Sequence, residues 1–288
     1  MASDFATSET NTTTYNDVSY TAIITDQVLD ALMASVVTPA LLAHYPIENE
    51  ASKAVKIPKA DKFTAAALTE GTEVTNTALT SASVTITAAE IGIQATITDV
   101  LEVSDVSGAH GARLRQLGRA LGDKLDVDIC ALLDGFSTAS GATTVNITLA
   151  NLLDTIYNLE VADAASLGSL VGVLHPRQTA DLRTELEADA ASIYVGEAQP
   201  SKAQNGFFGS WFGIDFFSST NVPTANAAAD RAGGVFVRDY ALGMATKWAA
   251  KVETMRWPSI RGVVLVATAM YGVGEVEDSA GVELVTDA

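Results

Sequence analysis

The sequence predicts an α+β protein in which one β element protrudes from the body. Three observations lead to this fold class. Leucine and isoleucine recur at steps of three and four through residues 108–134, which predicts one long helix. Residues 84–97 are a β-rich run with stretches of apolar and polar alternation. Residues 210–288 contain several further β-rich runs, so the chain order is arm, hairpin, long helix, mixed α/β segment and strands.

The N-terminal arm, residues 1–52, contains no lysine or arginine and seven acidic residues. Apolar side chains recur in it at steps of four and predict a helix that Pro39 bends or ends. These side chains are Ile24, Val28, Leu32 and Val36. Because an isolated arm cannot bury such a stripe, we expect it to pack on the body of the subunit or on a neighbour.

Residues 53–97 predict two long antiparallel strands joined by an extended loop. Residues 53–58 alternate polar and apolar side chains before a proline, and residues 84–97 supply the second strand. Glu70-Gly71-Thr72-Glu73 predicts a turn near the tip. The alternative is an ordinary hairpin on a sheet edge. Since a long hairpin is only marginally stable alone, it should lie on another surface.

The helix over 108–134 has the strongest periodicity in the chain. Its opposite face carries charged residues, and Gly135 is a natural C-cap. Those charged residues are Arg113, Arg115, Arg119, Asp123, Lys124 and Asp126. At ~1.5 Å per residue the helix would be roughly 40 Å long, which is enough to act as a spine for the other elements.

Residues 147–187 predict a helix, a strand and a second helix. Thr148 can cap the first helix, Leu170–Leu174 form a buried strand, and Pro176 suits the first turn of the second helix. The candidate strands that follow are 211–218, 234–238, 246–256, 261–271 and 282–285. The aromatic-rich segment 206–217 is interpreted as a core strand and its turn, in preference to a ligand box.

Composition excludes several classes of protein. The net charge of −18 disfavours a nucleic-acid reader, because binding to phosphates needs clustered lysine and arginine. The N-terminus has no basic region followed by an apolar one, so it is not a signal peptide, and no apolar run reaches the ~20 residues of a membrane span. Only 18% of residues are charged, which suggests that subunit contacts cover much of the surface.

Catalytic, cofactor and metal sites are not indicated by any pattern. The three histidines, His44, His110 and His175, are far apart and lack acidic neighbours at metal-ligand spacing. No nucleophile elbow, phosphate-binding loop or dinucleotide fingerprint is present. Cys130, the single cysteine, lies in an apolar helical stretch and is predicted to be a buried hydrophobe. We therefore predict no catalytic, cofactor-binding or metal-binding residues and no enzymatic activity.

The ordered set of elements resembles the HK97-fold major capsid proteins of tailed bacteriophages over nearly the whole chain. Residues 53–97 resemble the family's extended E-loop, and residues 108–134 resemble its spine helix. Three shorter matches are His175-Pro176-Arg177 after a strand, the segment 206–223 ending in Ser219-Thr220-Asn221-Val222-Pro223, and Tyr271-Gly272-Val273 in the final strands.

The resemblance implies a division of the chain into the parts of a capsid subunit. These are an N-terminal arm (1–52), an E-loop (53–97), a peripheral domain (98–160 and 240–288) with the spine helix 108–134, and an axial domain (161–239). Subunits would form hexamers and pentamers of an icosahedral shell that encloses the phage genome. The shell would be assembled in the host cytoplasm and become part of the virion. The arm and the E-loop would reach across neighbours, where many weak contacts in a closed lattice give avidity.

The contacts and partners follow from the same resemblance. The candidate inter-subunit contacts are Val28, Leu32, Val36, Glu70, Glu73, Arg113, Arg119, Arg256 and Arg261. The expected partners are other copies of the chain, a separate scaffolding protein, a portal and a decoration protein. The shell would enclose double-stranded DNA without sequence-specific binding, and no membrane is involved. A separate scaffolding protein is expected because only about fifty residues precede the E-loop and they are not charge-rich.

The chain departs from some members of this family in the position of its lysines, and other functions are also compatible with its sequence. Some family members are cross-linked through an E-loop lysine, but here the lysines crowd one stem of the hairpin, so we predict no cross-link. They are Lys53, Lys56, Lys59 and Lys62. An encapsulin-type nanocompartment shell that packages protein cargo shares the fold and is the main alternative function. An exported β-rich adhesive protein and an enzyme are weaker alternatives, because neither a leader nor a convergent polar site is indicated.

Overall fold

The computed structural model describes residues 38–188 and 207–287, apart from 49, 61–64, 66, 72, 75–80, 105–108 and 227–228. The helices are α1 (Asp99–Ser104), α2 (Ala109–Cys130), α3 (Leu149–Val161) and α4 (Pro176–Ala188). The strands are β1 (Ala43–Pro46), β2 (Ala54–Ala60), β3 (Ser81–Thr87), β4 (Ala89–Thr98), β5 (Ala139–Gly141), β6 (Leu170–Leu174), β7 (Phe207–Trp211), β8 (Ile214–Ser218), β9 (Thr224–Ala225), β10 (Asp230–Val237), β11 (Leu242–Trp257), β12 (Gly262–Glu275) and β13 (Gly281–Asp287). Short 3-10 helices cover Thr38–Leu41, Leu133–Gly135 and Asp278–Ala280.

One sheet has four strands in the order β1-β11-β12-β4. β11 and β12 are long antiparallel partners, β4 pairs antiparallel with β12, and β1 pairs parallel with β11. The leucine stripe of α2 packs on this sheet, where Leu117 and Leu121 join Ile97 and Leu265 in a buried cluster. Burial of these apolar side chains stabilises the seat of the long helix.

A second sheet has seven strands in the order β5-β13-β10-β6-β8-β7, with β9 paired to β10. All five residues of β6 are buried, as expected of a central strand. Phe216 of β8 and Phe236 of β10 are among the largest buried side chains. The same core includes Leu125 and Ile129 of α2, so the long helix packs on one sheet with its N-terminal half and joins the core of the other with its C-terminal half.

The protruding β element is a two-stranded sheet of β2 and β3, paired from Ala54↔Thr87 to Ala60↔Ser81. The run 84–97, predicted as one strand, is two strands in two sheets. β3 pairs with β2, the chain passes Ala88, and β4 then pairs with β12. The inward-facing side chains occupy even-numbered positions up to Ala88 and odd-numbered positions from Ile91, so the alternation shifts by one residue where the chain changes partner.

The long helix is shorter than the predicted range 108–134. It spans Ala109–Cys130, and a 3-10 helix over Leu133–Gly135 follows it. The last α-helical bond runs from the Ala131 amide to the Val127 carbonyl at 2.9 Å, and the Leu132 amide then bonds to the Ile129 carbonyl at 3.1 Å. The C-terminal turn therefore tightens, as helix ends often do, and Gly135 belongs to this 3-10 turn and does not cap the α-helix.

Residues 98–160 and 240–288, which were grouped with the long helix, contribute strands to both large sheets. β5 and β13 are strands of the seven-stranded sheet, and α3 packs against both of them. β13 pairs with β10 over seven residues, from Asp230↔Asp287 to Phe236↔Gly281. This pairing joins distant parts of the sequence, so no local pattern could assign the C-terminal strand to its sheet.

The predicted helices and strands are confirmed where residues close in sequence determine their ends. The Thr148 hydroxyl accepts a hydrogen bond from the Asn151 amide and caps α3. β6 has the predicted bounds, and Pro176 is the first residue of α4. In the aromatic segment, Trp211 and Phe216 are buried in the core, whereas Phe212 is exposed in the turn between β7 and β8. Among the helices of the described ranges, none is long and apolar enough to cross a membrane.

Candidate assembly surfaces

The base of the arm is fastened to the long helix by Asp126, which was expected on the solvent face of α2 and is instead only 3% exposed. Its Oδ1 accepts hydrogen bonds from the hydroxyl and the amide of Thr38 at 2.6 and 3.4 Å. Its Oδ2 accepts from the Ser219 hydroxyl at 2.6 Å and from the Asn221 side chain at 2.9 Å. One buried carboxyl group therefore holds together the arm base, the spine helix and the loop after β8.

This network gives a physical reason for the Ser219-Thr220-Asn221-Val222-Pro223 segment singled out in the sequence. Ser219 also accepts a bond from the Asn221 amide at 3.2 Å, which shapes the loop around Asp126. Cys130 is fully buried beside Ser219, and burial, together with the nearby Asp126 charge, raises the pKa of its thiol to about 12. The cysteine is thus an inert core residue, as predicted.

Gln178 is a second buried polar residue that sequence reasoning missed. Its side chain is fully buried and donates to the Arg231 and Leu284 carbonyls and to the Thr286 hydroxyl, at 2.8–3.2 Å. Its Oε1 accepts from the His175 amide at 2.9 Å. The residue therefore ties the start of α4 to β10 and β13, and no short-range pattern announces it.

The β2–β3 hairpin contacts the body along its length, where Ile86 is buried in a cluster with Ala245 and Met270. Lys59 forms an ion pair with Glu277 at 3.0 Å, with both side chains partly buried. At the hairpin's other end the chain passes over Gly272, where a Cβ atom would lie 2.3 Å from the Thr87 carbonyl oxygen. The hairpin therefore has a defined position on the body, and within the described residues its two strands form backbone pairs only with each other.

The turn between β11 and β12 forms an exposed end of the four-stranded sheet. Arg256 makes a two-pronged ion pair with Asp99 of α1, at 3.1 and 2.8 Å, and Arg261 has a left-handed backbone with φ of 52°. Large apolar side chains are also exposed here, including Trp257 at 43%. The others at this end are Val100, Val103, Met255 and Ile260. Aromatic, methionine and arginine side chains together are typical of protein interfaces.

A second exposed apolar surface runs along α3. Leu153, Tyr157 and Val161 are spaced four residues apart and are 47%, 61% and 67% exposed. Residues at this spacing share one face of a helix, and the buried Leu152 and Leu159 occupy the opposite face. An exposed face of a helix on a free monomer is ordinarily polar, so this face is suited to a protein partner.

The predicted contact residues lie on several different elements. Glu70 and Glu73 are exposed in the loop of the hairpin, Arg119 is exposed on α2, and Arg113 belongs to the same helix. Arg256 and Arg261 are both exposed at one end of the four-stranded sheet. Val28, Leu32 and Val36 lie outside the described residues. The apolar surfaces at that end of the sheet and on α3 were not predicted, because exposure cannot be read from an apolar periodicity.

Carboxyl groups gather where the 3-10 turn after α2 meets β12 and β13. Burial, together with a hydrogen bond to Asp134, raises the pKa of Glu283 to about 7. Burial and the charge of Asp278 also raise the pKa of Glu275. Asp278 in turn accepts hydrogen bonds from the amide and the hydroxyl of Ser137. No group of three or more His, Cys, Asp or Glu in the described part of the chain is arranged to hold a metal ion.

We expect the stability of the subunit to fall between pH 4.5 and about 7 through Glu283. Its pKa is higher in the folded chain than its ordinary 4.5, so folding favours the protonated form and this stabilisation is lost as the pH rises. Glu283→Gln, which stays neutral, should melt at a higher temperature than the wild type at pH 8, with a smaller difference at pH 4. Thermal melts at both pH values check this, with the exposed Glu185→Gln as control. An equal difference at both pH values would contradict it.

The chain is similar to known proteins in both sequence and fold. A family model described as phage capsid protein matches residues 81–284. The capsid structure of the cyanophage P-SCSP1u is 16% identical, with a TM-score of 0.66 and 88% of each chain covered. Mycobacterium phage Che8 gives 18% identity and a TM-score of 0.67, covering 86% of this chain and 90% of that one.

A third solved structure, a virus-like particle from Pyrococcus furiosus, is 11% identical, with a TM-score of 0.60, and covers 92% of this chain and 99% of that one. No curated protein matches the sequence. At such identities the structural likeness establishes the fold, and the HK97-like α+β fold expected from the sequence is confirmed.

Proposed function

The chain belongs to the phage capsid protein family, and from this premise we propose that its copies form the hexamers and pentamers of an icosahedral shell around double-stranded DNA. Its role is structural and not enzymatic: it is a major capsid protein that assembles with copies of itself in the virion. The observation that carries the proposal is the β2–β3 hairpin, a two-stranded sheet that packs on the body through one set of side chains and that no third strand joins within the described residues.

Physical arguments support a role for this hairpin between subunits. A lone two-stranded hairpin is marginally stable, and within the described part of the subunit no third strand forms backbone pairs with β2 or β3. The exposed apolar residues on α3 and at the β11–β12 turn supply further contact area. Contacts of this kind are weak one at a time but add up in a closed lattice.

Other partners belong to the proposal as well. We propose that a separate scaffolding protein directs assembly in the host cytoplasm, that a portal occupies one vertex, and that a decoration protein can bind outside. The net charge of −18 supports enclosure of DNA without sequence-specific binding, because an acidic surface repels phosphates. The alternative function, a nanocompartment that packages protein cargo, has no observation here that favours it over the phage shell.

The domain division is also retained as a proposal, with bounds revised to match the sheets. The peripheral domain comprises the four-stranded sheet with α1 and α2. The axial domain comprises the seven-stranded sheet with α3 and α4, and therefore includes residues 139–161 and 281–287. The candidate contacts would then be distributed over the arm, the hairpin and the peripheral domain.

Electron microscopy of the purified chain, alone and with a candidate scaffolding protein, tests the proposal. We expect closed shells or capsomer rings in at least one condition. Removal of residues 2–36 should abolish or misdirect assembly while leaving a folded subunit with its cooperative melt. The deletion must stop before Thr38, because that residue bonds to Asp126 and β1 follows it in the four-stranded sheet.

The controls separate folding from assembly. Circular dichroism and thermal melting report whether the deleted chain still folds. A monodisperse full-length monomer in both conditions would contradict the capsid proposal. A folded, arm-deleted chain that still closed into normal shells would contradict the role of the arm. Cargo or DNA recovered from shells made in cells distinguishes a nanocompartment from a phage head.

A further inference from the structure

The seven-stranded sheet carries an exposed apolar surface at each end of its strand order. At one end α3 packs against β5 and β13 and turns Leu153, Tyr157 and Val161 away from the body. At the other end β7 and β8 are joined by a two-residue turn that carries the exposed side chain of Phe212. Five strand spacings of ~4.8 Å separate β5 from β7, so these two edges of the sheet are roughly 24 Å apart.

The turn between β7 and β8 holds Phe212 in a backbone conformation that is unfavourable for an aromatic residue. Trp211 pairs with Ile214, and the two residues between them have positive φ, 52° at Phe212 and 80° at Gly213. Two-residue turns with positive φ at both positions ordinarily have asparagine or aspartate before the glycine, because a bulky side chain is strained there. Burial does not offset this strain fully, since Phe212 remains 45% exposed. Contact with a partner accounts for an aromatic residue at this position.

The turn projects from a well-packed base. Trp211 beside it is buried, and the ring of Trp211 lies 5.7 Å from that of Phe216 in the core. A Cβ atom added to Gly213 would meet no other atom of the described residues within 4 Å, so the turn stands clear of the rest of the subunit. A projecting aromatic side chain on a fixed base is typical of the residues that anchor protein interfaces.

Charge determines which surfaces of two copies can meet. Residues 149–168 contain three acids and no base, and Asp154, Glu160 and Asp163 are all exposed. Contact between α3 of one copy and α3 of another would bring these like charges together. Residues 207–214 contain no charged residue, so the β7–β8 turn can approach the acidic surroundings of α3 without repulsion. Charge therefore favours contact between the two different surfaces.

We propose that the β7–β8 turn of one copy docks on the outer face of α3 of the next copy. Phe212 then packs against the exposed side chains of Leu153, Tyr157 and Val161. The two surfaces lie at opposite edges of one sheet, so a subunit cannot make this contact with itself and the occupant is a second copy. Contacts between different surfaces of successive copies run head to tail and close into rings. The inference rests on the proposed function, and it identifies a contact between neighbouring subunits of one hexamer or pentamer.

Cysteine cross-linking in the full chain tests the head-to-tail contact. Ser210 and Glu160 are exposed, lie beside Phe212 and Tyr157, and leave both of those side chains in place when they are replaced. Ser210→Cys/Glu160→Cys, treated with a short bis-maleimide under conditions in which the wild type forms capsomers or shells, should give a ladder of linked chains up to hexamers. Cys130 is buried and does not compete for the reagent.

The single variants distinguish a head-to-tail contact from a symmetric one. Ser210→Cys alone and Glu160→Cys alone should each be cross-linked at least tenfold less than the double variant, because neither surface meets its own copy. An equal mixture of the two single variants should stop at dimers. Efficient dimers from either single variant, or no ladder from the double variant, would overturn the proposal.

Phe212→Asn separates a contact role from a role in the fold of the subunit. Asparagine before glycine suits the positive φ of this turn, so the melting temperature should stay the same or rise while the yield of capsomers and shells falls at least tenfold. Tyr240→Ser is the matched control, because Tyr240 is an aromatic residue of similar exposure, 42%, outside both surfaces, and it should assemble like the wild type.

The remaining outcomes of this substitution are decisive as well. Normal assembly of Phe212→Asn, or a lower melting temperature, would contradict the contact role of Phe212. A wild-type chain that stays monomeric in every condition would contradict the capsid function itself. Wild-type shells whose matching cysteine variant gives no ladder would contradict this contact alone.

Discussion

Replacement of Asp126 by alanine should lower the free energy of unfolding by about 3 kcal/mol, since it removes the acceptor for four hydrogen bonds. The donors come from Thr38, Ser219 and Asn221, and they lie in a part of the core where water cannot easily replace the carboxylate. A buried donor without an acceptor costs about 1–3 kcal/mol, and part of that loss is offset because the buried carboxyl group is itself removed.

Asp126→Asn sharpens this test. The asparagine side chain keeps one acceptor oxygen, while its amino group faces the donors on the other side. Stability should therefore fall between the wild type and the alanine variant. Denaturant unfolding of both variants measures the effect, with the exposed Asp123→Ala on the same helix as the matched control, for which a change within about 0.5 kcal/mol is expected. Equal stability of Asp126→Ala and Asp123→Ala would contradict the structural role of the network.

Asp126→Ala should also release the base of the arm from the long helix. Because Thr38 loses both of its bonds to the helix, the Asp126→Ala chain should resemble the arm-deleted chain in assembly even at temperatures where it remains folded. The network thus links the stability of the core to the position of an element that we assign to subunit contacts.

Elements controlled by neighbouring residues were predictable from the sequence. The stripe of α2, the Thr148 cap of α3 and the proline at the start of α4 each depend on residues within about four positions. The fully buried strand Leu170–Leu174 was also predictable, since an uninterrupted apolar run of five residues between polar segments is typical of a central strand. The resemblance to capsid proteins depended on the order of such elements.

Features controlled by distant residues were not predictable from the sequence. The periodicity of α2 placed Asp126 among the charged residues of its outer face, but a loop 93–95 residues away covers it and supplies its donors. The change of sheet at Ala88 and the pairing of β13 with β10 also depend on partners far along the chain. The same limit applies to α3, where only the tertiary structure reveals which of its two apolar faces remains exposed.

Substitution of Gly272 by alanine should disturb the seat of the β2–β3 hairpin and cost about 1–3 kcal/mol. The added Cβ would lie 2.3 Å from the Thr87 carbonyl oxygen, 2.7 Å from its carbonyl carbon and 3.0 Å from the Ala88 nitrogen. All three are backbone atoms at the junction where β3 ends and β4 begins, so the chain cannot relieve the contact by turning a side chain. Either β12 or the base of the hairpin must move.

Trypsin provides the most direct readout of that movement, because the hairpin stem carries several lysines, including Lys59 in its ion pair with Glu277. Cleavage at the stem lysines should be faster in Gly272→Ala, and the melting temperature should fall. Gly135→Ala is the matched control, since the nearest atom to its added Cβ is Glu275 Oε2 at an ordinary 3.7 Å. If both variants melt and cleave like the wild type, the close approach at Gly272 does not set the hairpin. A second informative outcome is that Gly272→Ala fails to form shells while it still melts cooperatively, with the control unaffected. That result would mean that assembly depends on the direction of the hairpin and not only on the stability of the subunit.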